Sequence, residues 1–453
     1  VAAHEQGQYL LGDSRGQSPQ APDPLASGGP WTDATLYRDE WGVPHVYAMT
    51  PQALGFAFGY AQAADHLVDM LMAYRMANGR TAEILGEGYA ASDEFALKMG
   101  HARLAHQAFA EADAITQSLC TGFAQGVNAW IAEHPAQVPP WTEGVQPADP
   151  LALWHAFLMS MAPMDLADVD APARAMETGN AWALAPSRTE EEQAILVINP
   201  HQYYGGWFQW YEAHLVLGDM DVTGATLYGL PVIVQGHNAA LGWALTPNEP
   251  DFADVFEERV GGPERSPKDP RLPDPTEEQF LMLQYMSQAQ PYYVATQAGI
   301  ERRYVPAMIG PRGPVFEGFA NALYSWTVGG YHDFGGFRQL MEMARAQDLA
   351  SFQKALLARQ LPCFHVVYAD RDGNIFYLYN AKCGTRARAT DPAPPPAGAP
   401  PDWKRPMPAP LALFAWGDAI PLDALPRIEN PDSGYVQRSE EHTSELQSPL
   451  CIS

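Results

Sequence analysis

Few stretches of this chain bring together residue types that do chemistry at spacings that allow it. Gly12–Gly16 reads GDSRG and sets Ser14 in a hydrolase-like serine motif. Such a serine works when a strand delivers it to a sharp turn, and no strand pattern precedes it, so it is not expected to be a nucleophile. Asp370–Asn374 reads DRDGN, a faint likeness to a calcium loop. It lies between two β-branched and aromatic runs, Cys363–Asp370 and Ile375–Cys383, where Asp-Gly is the signature of a hairpin turn. The turn is the expected reading. The same hairpin brings Cys363 and Cys383 to within about one residue of facing each other. A cross-strand disulfide and two buried thiols are both compatible with that placement.

The elements that would position such groups follow from periodicity. Val1–Gly29 is polar and rich in Gly, Pro and Ser, and is expected to be a disordered leader. In residues 30–162, Ala34–Ala48 alternates around Trp41-Gly42-Val43-Pro44, which predicts a β-hairpin. Ala53–Ala77, His101–His134 and Pro150–Ala162 then show helical spacing. Their Met and aromatic positions read as core. Residues 163–178 lack periodicity and read as a linker. From 179 to 437 strand patterns dominate, with short helices near Phe337–Ala344 and Leu349–Ala358 and a Pro-rich loop over Ala389–Pro410. Helices first and strands after predict an α+β layered protein.

With 453 residues and 47% hydrophobic content the chain can bury a large core. Its net charge of −26 argues against nucleic acid and anionic membrane surfaces as partners, since both require clustered Lys and Arg. No apolar run is long enough to insert in a membrane. No organic cofactor is expected. Arg438–Ser448, RSEEHTSELQS, breaks with the preceding pattern. It reads as the conceptual translation of an adapter ligated to DNA fragments for short-read sequencing. Residues 438–453 are therefore expected to be an artefactual tail, with the natural sequence cut short near Gln437.

A set of ordered blocks then carries a resemblance. ATLYRDEWGVPHVYA, GFAFGYAQAADHLVDM, GRTAEILG, GNAWALAPSRT, ILVINPHQYY, WYEAHLV, GATLYGLPVIVQGHNAALGWALT, PDFADVFEERV and NPDSGYVQ run in order from Ala34 to Gln437. Together they resemble the penicillin acylase family, with its acyl-homoserine-lactone acylase branch, a group of N-terminal-nucleophile hydrolases. The resemblance implies an αββα four-layer sandwich: a helical α-chain-like part over 30–162, a spacer over 163–178, and a β-chain-like core over 179–437. It also implies a precursor that cuts itself into α and β subunits, exposing a serine whose hydroxyl attacks an amide carbonyl while its own α-amine serves as base.

Carried over residue by residue, the resemblance raises a difficulty. The nucleophile position, three residues before Trp182 and next to Asn180, is Gly179, which has no hydroxyl. Thr178 reaches that role only by a slip of register. The backbone oxyanion donor falls on Pro247, which has no N–H; the second donor, an Asn, falls beyond Gln437. His201 matches a histidine that orients or polarises near the nucleophile in relatives, and a hydrogen-bonding structural role fits it equally. Asp251 and Asp254, with the Ala253 carbonyl, match structural calcium ligands, and would otherwise be surface acids. Aromatics of Tyr203–Leu215 fit an acyl pocket or core packing. The implied substrate is an N-acylated small molecule, a β-lactam or acyl-homoserine lactone type, and the implied location is periplasmic or secreted. The two substitutions lead to an expectation of weak or lost linear-amide hydrolysis, or of a non-catalytic relative that binds an acylated ligand.

Overall fold

The computed structural model describes residues 8–10, 33–162, 178–201, 208–258, 288–310, 312–317, 323–386, 406–408 and 416–439. The leader's GDSRG, the linker over 163–177, most of the Pro-rich loop, residues 202–207 and residues 440–453 lie outside them.

Local signals set the helices. Helix α1 (Pro51–Ala77) starts where Thr50 Oγ1 accepts from the Ala53 N–H at 3.1 Å and Pro51 takes the first turn, where no N–H is needed. Short α2 (Ala82–Leu85) and α3 (Ala90–Met99) follow. The single helix expected over His101–His134 is two, α4 (His101–Glu111) and α5 (Ala114–Glu133). The cause is Asp113, whose carboxylate accepts from the Ile115 and Thr116 N–H groups and caps a new helix. Next come α6 (Asp149–Ser160), α7 (Gly336–Arg345) and α8 (Leu349–Leu356), the last opened by a reciprocal Asp348–Ser351 capping box.

Helices α1 and α5 cross at backbone contact. A Cβ on Gly126 would lie 2.0 Å from the Phe56 carbonyl oxygen, and one on Gly122 2.0 Å from that of Gln52. Gly126→Ala is therefore expected to force the helices apart and to cost about 1–3 kcal/mol. The check is a thermal melt, and an unchanged midpoint would contradict the crossing.

The strands form three sheets. The largest has nine strands, in the order β18 (Arg427–Glu429), β16 (Ile375–Ala381), β15 (Cys363–Asp370), β9 (Leu241–Pro247), β8 (Gln235–His237), β7 (Met220–Leu227), β6 (Trp210–Leu217), β3 (Pro44–Ala48) and β2 (Ala34–Arg38). The predicted hairpin β2–β3 joins it by a parallel pairing of β3 with β6. The ring of Tyr211 on β6 holds this corner: its hydroxyl donates to Asp65 of α1 at 2.5 Å, and Arg38 of β2 pairs with the same carboxylate oxygen at 2.9 Å. The helices cover one face of this sheet over a continuous apolar core that includes Phe58, Phe123, Trp154, Trp243 and Phe337.

The other face meets a four-stranded sheet, in the order β1 (Gln8–Leu10), β5 (Ile195–His201), β4 (Thr178–Leu184) and β19 (Tyr435–Arg438). Ala181, Ala183, Leu196, Ile198 and Val436 face Ala244, Val367, Ala369, Ile375 and Tyr377 across the interface. A third sheet runs β11 (Gln288–Thr296), β12 (Gly299–Gly310), β13 (Gly313–Glu317), β14 (Leu323–Val328), β10 (Ala253–Glu258) and β17 (Met407–Pro408). Helices α2 and α3 rest on it through Ala82, Ala90 and Leu97. The α+β layering is thus the expected one, and the described residues supply a helical layer and two facing sheets of the sandwich.

Several boundaries differ from expectation. The leader contributes β1, because β5 offers an open edge of N–H and C=O groups and Gln8–Leu10 meets it in antiparallel register. Strand β4 begins at Thr178 rather than after it. Arg438, expected to fall in the tail, closes β19 opposite Ala181. In the β15–β16 hairpin Cys363 faces Ala381, so Cys383 lies past the end of the ladder. Neither cysteine is in a disulfide, and burial pushes the Cys383 thiol up to about 11. The DRDGN segment is a turn: Asp370 Oδ1 accepts from the Asp372 and Asn374 N–H groups, and Gly373 takes a φ of 90°.

Candidate active site

The start of β4 lies over the end of β9, and the pleat decides what meets what. On β4, Gly179, Ala181 and Ala183 point into the space between the sheets, while Asn180 and Trp182 point away from it. Small inward residues allow the two sheets to close. At Gly179 they close completely: a Cβ there would lie 2.9 Å from Thr246 Cγ2, 3.3 Å from Thr246 Cβ and 3.4 Å from the Asn199 carbonyl oxygen. The position expected to hold a nucleophile therefore directs a hydrogen at the side chain of Thr246.

Thr246 is 1% exposed, and its Oγ1 has no hydrogen-bond partner among the described residues. Opposite it on β15 stands His365, whose Nδ1 lies 2.8 Å from the Tyr377 hydroxyl. Burial, together with the nearby Arg438 charge, pushes the His365 imidazole down to about 3, so it is neutral near pH 7. Neither Thr246 nor His365 was singled out from the sequence. The available signal was parity: both alternate onto the same face of their strands as Ala244 and Val367.

Pro247 is the last residue of β9 and is buried. The N–H of Leu245, two residues earlier, points towards β8 and donates to Gln235 Oε1 at 3.1 Å. By the same alternation the Pro247 nitrogen points to that side, beyond the end of β8, where no ladder bond is lost by having no N–H. Gly179 thus lies against Thr246, the residue before Pro247; position 179 carries no hydroxyl and position 247 no N–H. Just beyond, Asn248 is buried: its Nδ2 donates to the Asn380 carbonyl at 3.0 Å, while its Oδ1 has no partner among the described residues.

His201 and Asn180 are brought together on the face of β4 and β5 that points away from Thr246. Asn180 Nδ2 lies 2.9 Å and Asn199 Nδ2 3.3 Å from His201 Nε2. Two amide donors on one ring nitrogen make it an acceptor and put the ring proton on Nδ1. This exposed cluster sits on the outer face of the four-stranded sheet, with a β-strand's thickness between it and the direction of a residue-179 side chain. His201 shares the outer face with Asn180 and Asn199, opposite to the face that residue 179 takes.

The calcium expectation meets a different obstacle. Arg386 forks onto both oxygens of Asp251, at 2.7 and 2.9 Å, and its Nε donates to Asp254 Oδ2 at 2.7 Å. Trp416 Nε1 donates to that same Asp254 oxygen at 2.5 Å. Three of the four carboxylate oxygens are spent on a guanidinium, whereas calcium takes six to eight oxygen ligands. Ala253 is a ladder residue opposite Val328. No group of three or more His, Cys, Asp or Glu side chains among the described residues is placed to hold a metal. The residues do not fit the ion.

The family model of penicillin amidase matches residues 33–451. The chain belongs to that family. Among curated relatives, the penicillin acylase 2 proenzyme of Pseudomonas sp. (strain SE83) is 24% identical over 470 residues, covering 88% of this chain and 57% of the relative. Penicillin G acylase of Escherichia coli is 21% identical, covering 89% and 59%. Acyl-homoserine lactone acylase PvdQ of Pseudomonas fluorescens (strain Pf0-1) is 27% identical over 280 residues, covering 53% and 35%. The chain therefore spans about a third to three fifths of the length of these relatives. Among solved structures, the thermostable penicillin G acylase from Alcaligenes faecalis aligns with a TM-score of 0.44 and 18% identity, over 60% of this chain and 46% of that one. No helix among the described residues is long and apolar enough to cross a membrane.

Proposed function

We propose that this chain keeps the frame of a penicillin acylase-type amidohydrolase and hydrolyses linear amides weakly or not at all. The substrate class of that frame is an N-acylated small molecule of the β-lactam or acyl-homoserine lactone type, met in the periplasm or outside the cell. The observation that carries the reading is Gly179. The mature nucleophile of such an enzyme supplies both the attacking hydroxyl and the α-amine that takes its proton. Glycine exposes an amine if the chain is cut, but nothing attacks. Cutting itself is also disfavoured, because the acyl shift that breaks the 178–179 bond passes through a side-chain ester that glycine cannot form. Pro247 removes a donor for the tetrahedral oxyanion as a second defect. The same features favour a second reading, a non-catalytic protein that binds an acylated ligand.

Two measurements test this. The purified chain is expected to give one intact mass, and two species split between Thr178 and Gly179 would refute the absence of self-processing. Incubated with a chromogenic acyl amide, it is expected to release amine no faster than buffer. Catalysed release that disappears when Gly179 is changed to Pro would show that an unrecognised group at this junction does the chemistry.

A further inference from the structure

We propose that Arg386 supplies, as a built-in cation, the positive charge between Asp251 and Asp254, so that the segment following β9 is locked by a side chain and needs no divalent ion. The guanidinium spans the surface and the interior, forking onto the exposed Asp251 and reaching the buried Asp254. The guanidinium engages Asp251 with two parallel bonds of 2.7 and 2.9 Å and reaches Asp254 with its Nε at 2.7 Å. A planar fork makes this pattern and an ammonium does not. The Asp254 side chain is 1% exposed. Its carboxyl is held above the ordinary range by burial, which the Arg386 bond and charge and Trp416 Nε1 oppose but do not cancel. The Trp416 ring also lies against the guanidinium, 5.5 Å from its centre. One carboxylate oxygen, Asp254 Oδ1, is left without a hydrogen-bond partner among the described residues. A divalent ion reaching that single oxygen would stand against a fixed positive charge.

The clamp ties distant parts of the chain. Arg386 follows a short ladder in which the Ile420 N–H donates to the Cys383 carbonyl, the Thr385 N–H to that of Asp418 and the Gly417 N–H to that of Thr385. Asp251 and Asp254 lie at the start of β10, a few residues after Pro247. The guanidinium therefore fixes the exit from the candidate site to segments 383–386 and 416–420 together.

The test uses the full chain, stripped of metals by a chelator and titrated with terbium up to about 1 mM, where even weak calcium sites fill. Trp416 beside Asp254 is placed to sensitise terbium emission from this site. Wild-type protein is expected to show no saturable emission that depends on Asp251, and the same melting midpoint in chelator as in calcium. Emission that survives Asp251→Asn arises elsewhere on this acidic surface and agrees with the proposal. Emission that Asp251→Asn abolishes overturns it, as does a midpoint that falls in chelator and returns with calcium. Arg386→Ala is expected to lower the midpoint and Arg386→Lys to lower it less; an Arg386→Ala protein that melts like wild type overturns the lock. Should that variant fail to fold, the wild-type titration still decides.

Discussion

Gly179→Ser alone is expected to give little amidase activity, and Gly179→Ser with Pro247→Val to exceed it by about 10²-fold or more. The new Cβ arrives 2.9 Å from Thr246 Cγ2, so Thr246 must turn about its χ1. That turn is favourable in kind, because it can swing the partnerless Thr246 Oγ1 towards the incoming hydroxyl. A serine in place can attack a carbonyl and, once the chain is cut, can use its own amine as base. The oxyanion still meets a proline nitrogen with no hydrogen, which keeps the barrier about 3–4 kcal/mol too high. Valine restores the N–H. The readout is amine release from a chromogenic acyl amide, alongside the fraction cut at 178–179. If the serine variant alone equals the double variant, Pro247 is not at the oxyanion.

A second large effect is expected in acid. His155 and His101 are buried as a pair, with their Nδ1 atoms 2.7 Å apart. His155 donates its Nε2–H to the Tyr331 carbonyl at 2.8 Å, so its Nδ1 is bare and accepts the Nδ1–H of His101. Both rings are then neutral. Burial pushes His155 down to about 4 and His365 to about 3, from an ordinary 6.5. These are bases with depressed values, so between those values and 6.5 the unfolded chain binds the extra protons. The stability they allow is full above pH 6.5 and falls as the pH drops towards 3, by on the order of 3–5 kcal/mol per ring. Asp93 works the other way: its buried carboxyl is pushed up to about 6, so the stability it gives is full below 3.8 and is lost as pH rises through 6. Three histidines, counting His101, outweigh it. Urea midpoints at neutral pH and near pH 4 measure the net result. His155→Gln with His365→Asn is expected to flatten the profile, and a midpoint no lower in acid than at neutrality would contradict the assignment.

Much of the frame was legible because it is written in local periods. The β2–β3 hairpin, α1, α6, the helices after Phe337 and the β15–β16 turn follow from alternation, helical spacing and Asp-Gly. The break at Asp113 was missed because apolar spacing continues across it, while one carboxylate restarts the hydrogen-bond pattern. At the site, Gly179 and Pro247 stand out through the resemblance, and the fold sets Gly179 against Thr246, the residue before Pro247. What surrounds them was not legible. Thr246 and His365 matter through the face they take in a sheet-to-sheet contact. His201 lands on the far face because residues 199 and 201 share one parity on β5 and residue 200 has the other. Arg386 lies 132 residues from Asp254 in sequence, and no local pattern announces a bond over that distance.

The parallel pairing of β3 with β6 bears on what a break in the chain would mean. One strand precedes residues 163–177 and the other follows them, yet they are neighbours in a single nine-stranded sheet, and β1 likewise lies beside β5. The two halves of the sequence are therefore woven rather than appended. A protease site engineered into 163–177 and cut after folding would yield two polypeptides that comigrate under native conditions and part only in denaturant. Covalent continuity there governs the order in which the pieces find each other, and not whether they stay together. Produced as separate chains, the same two halves would each present open strand edges and an uncovered apolar sheet face, and their recovery would depend on being made at the same time and place.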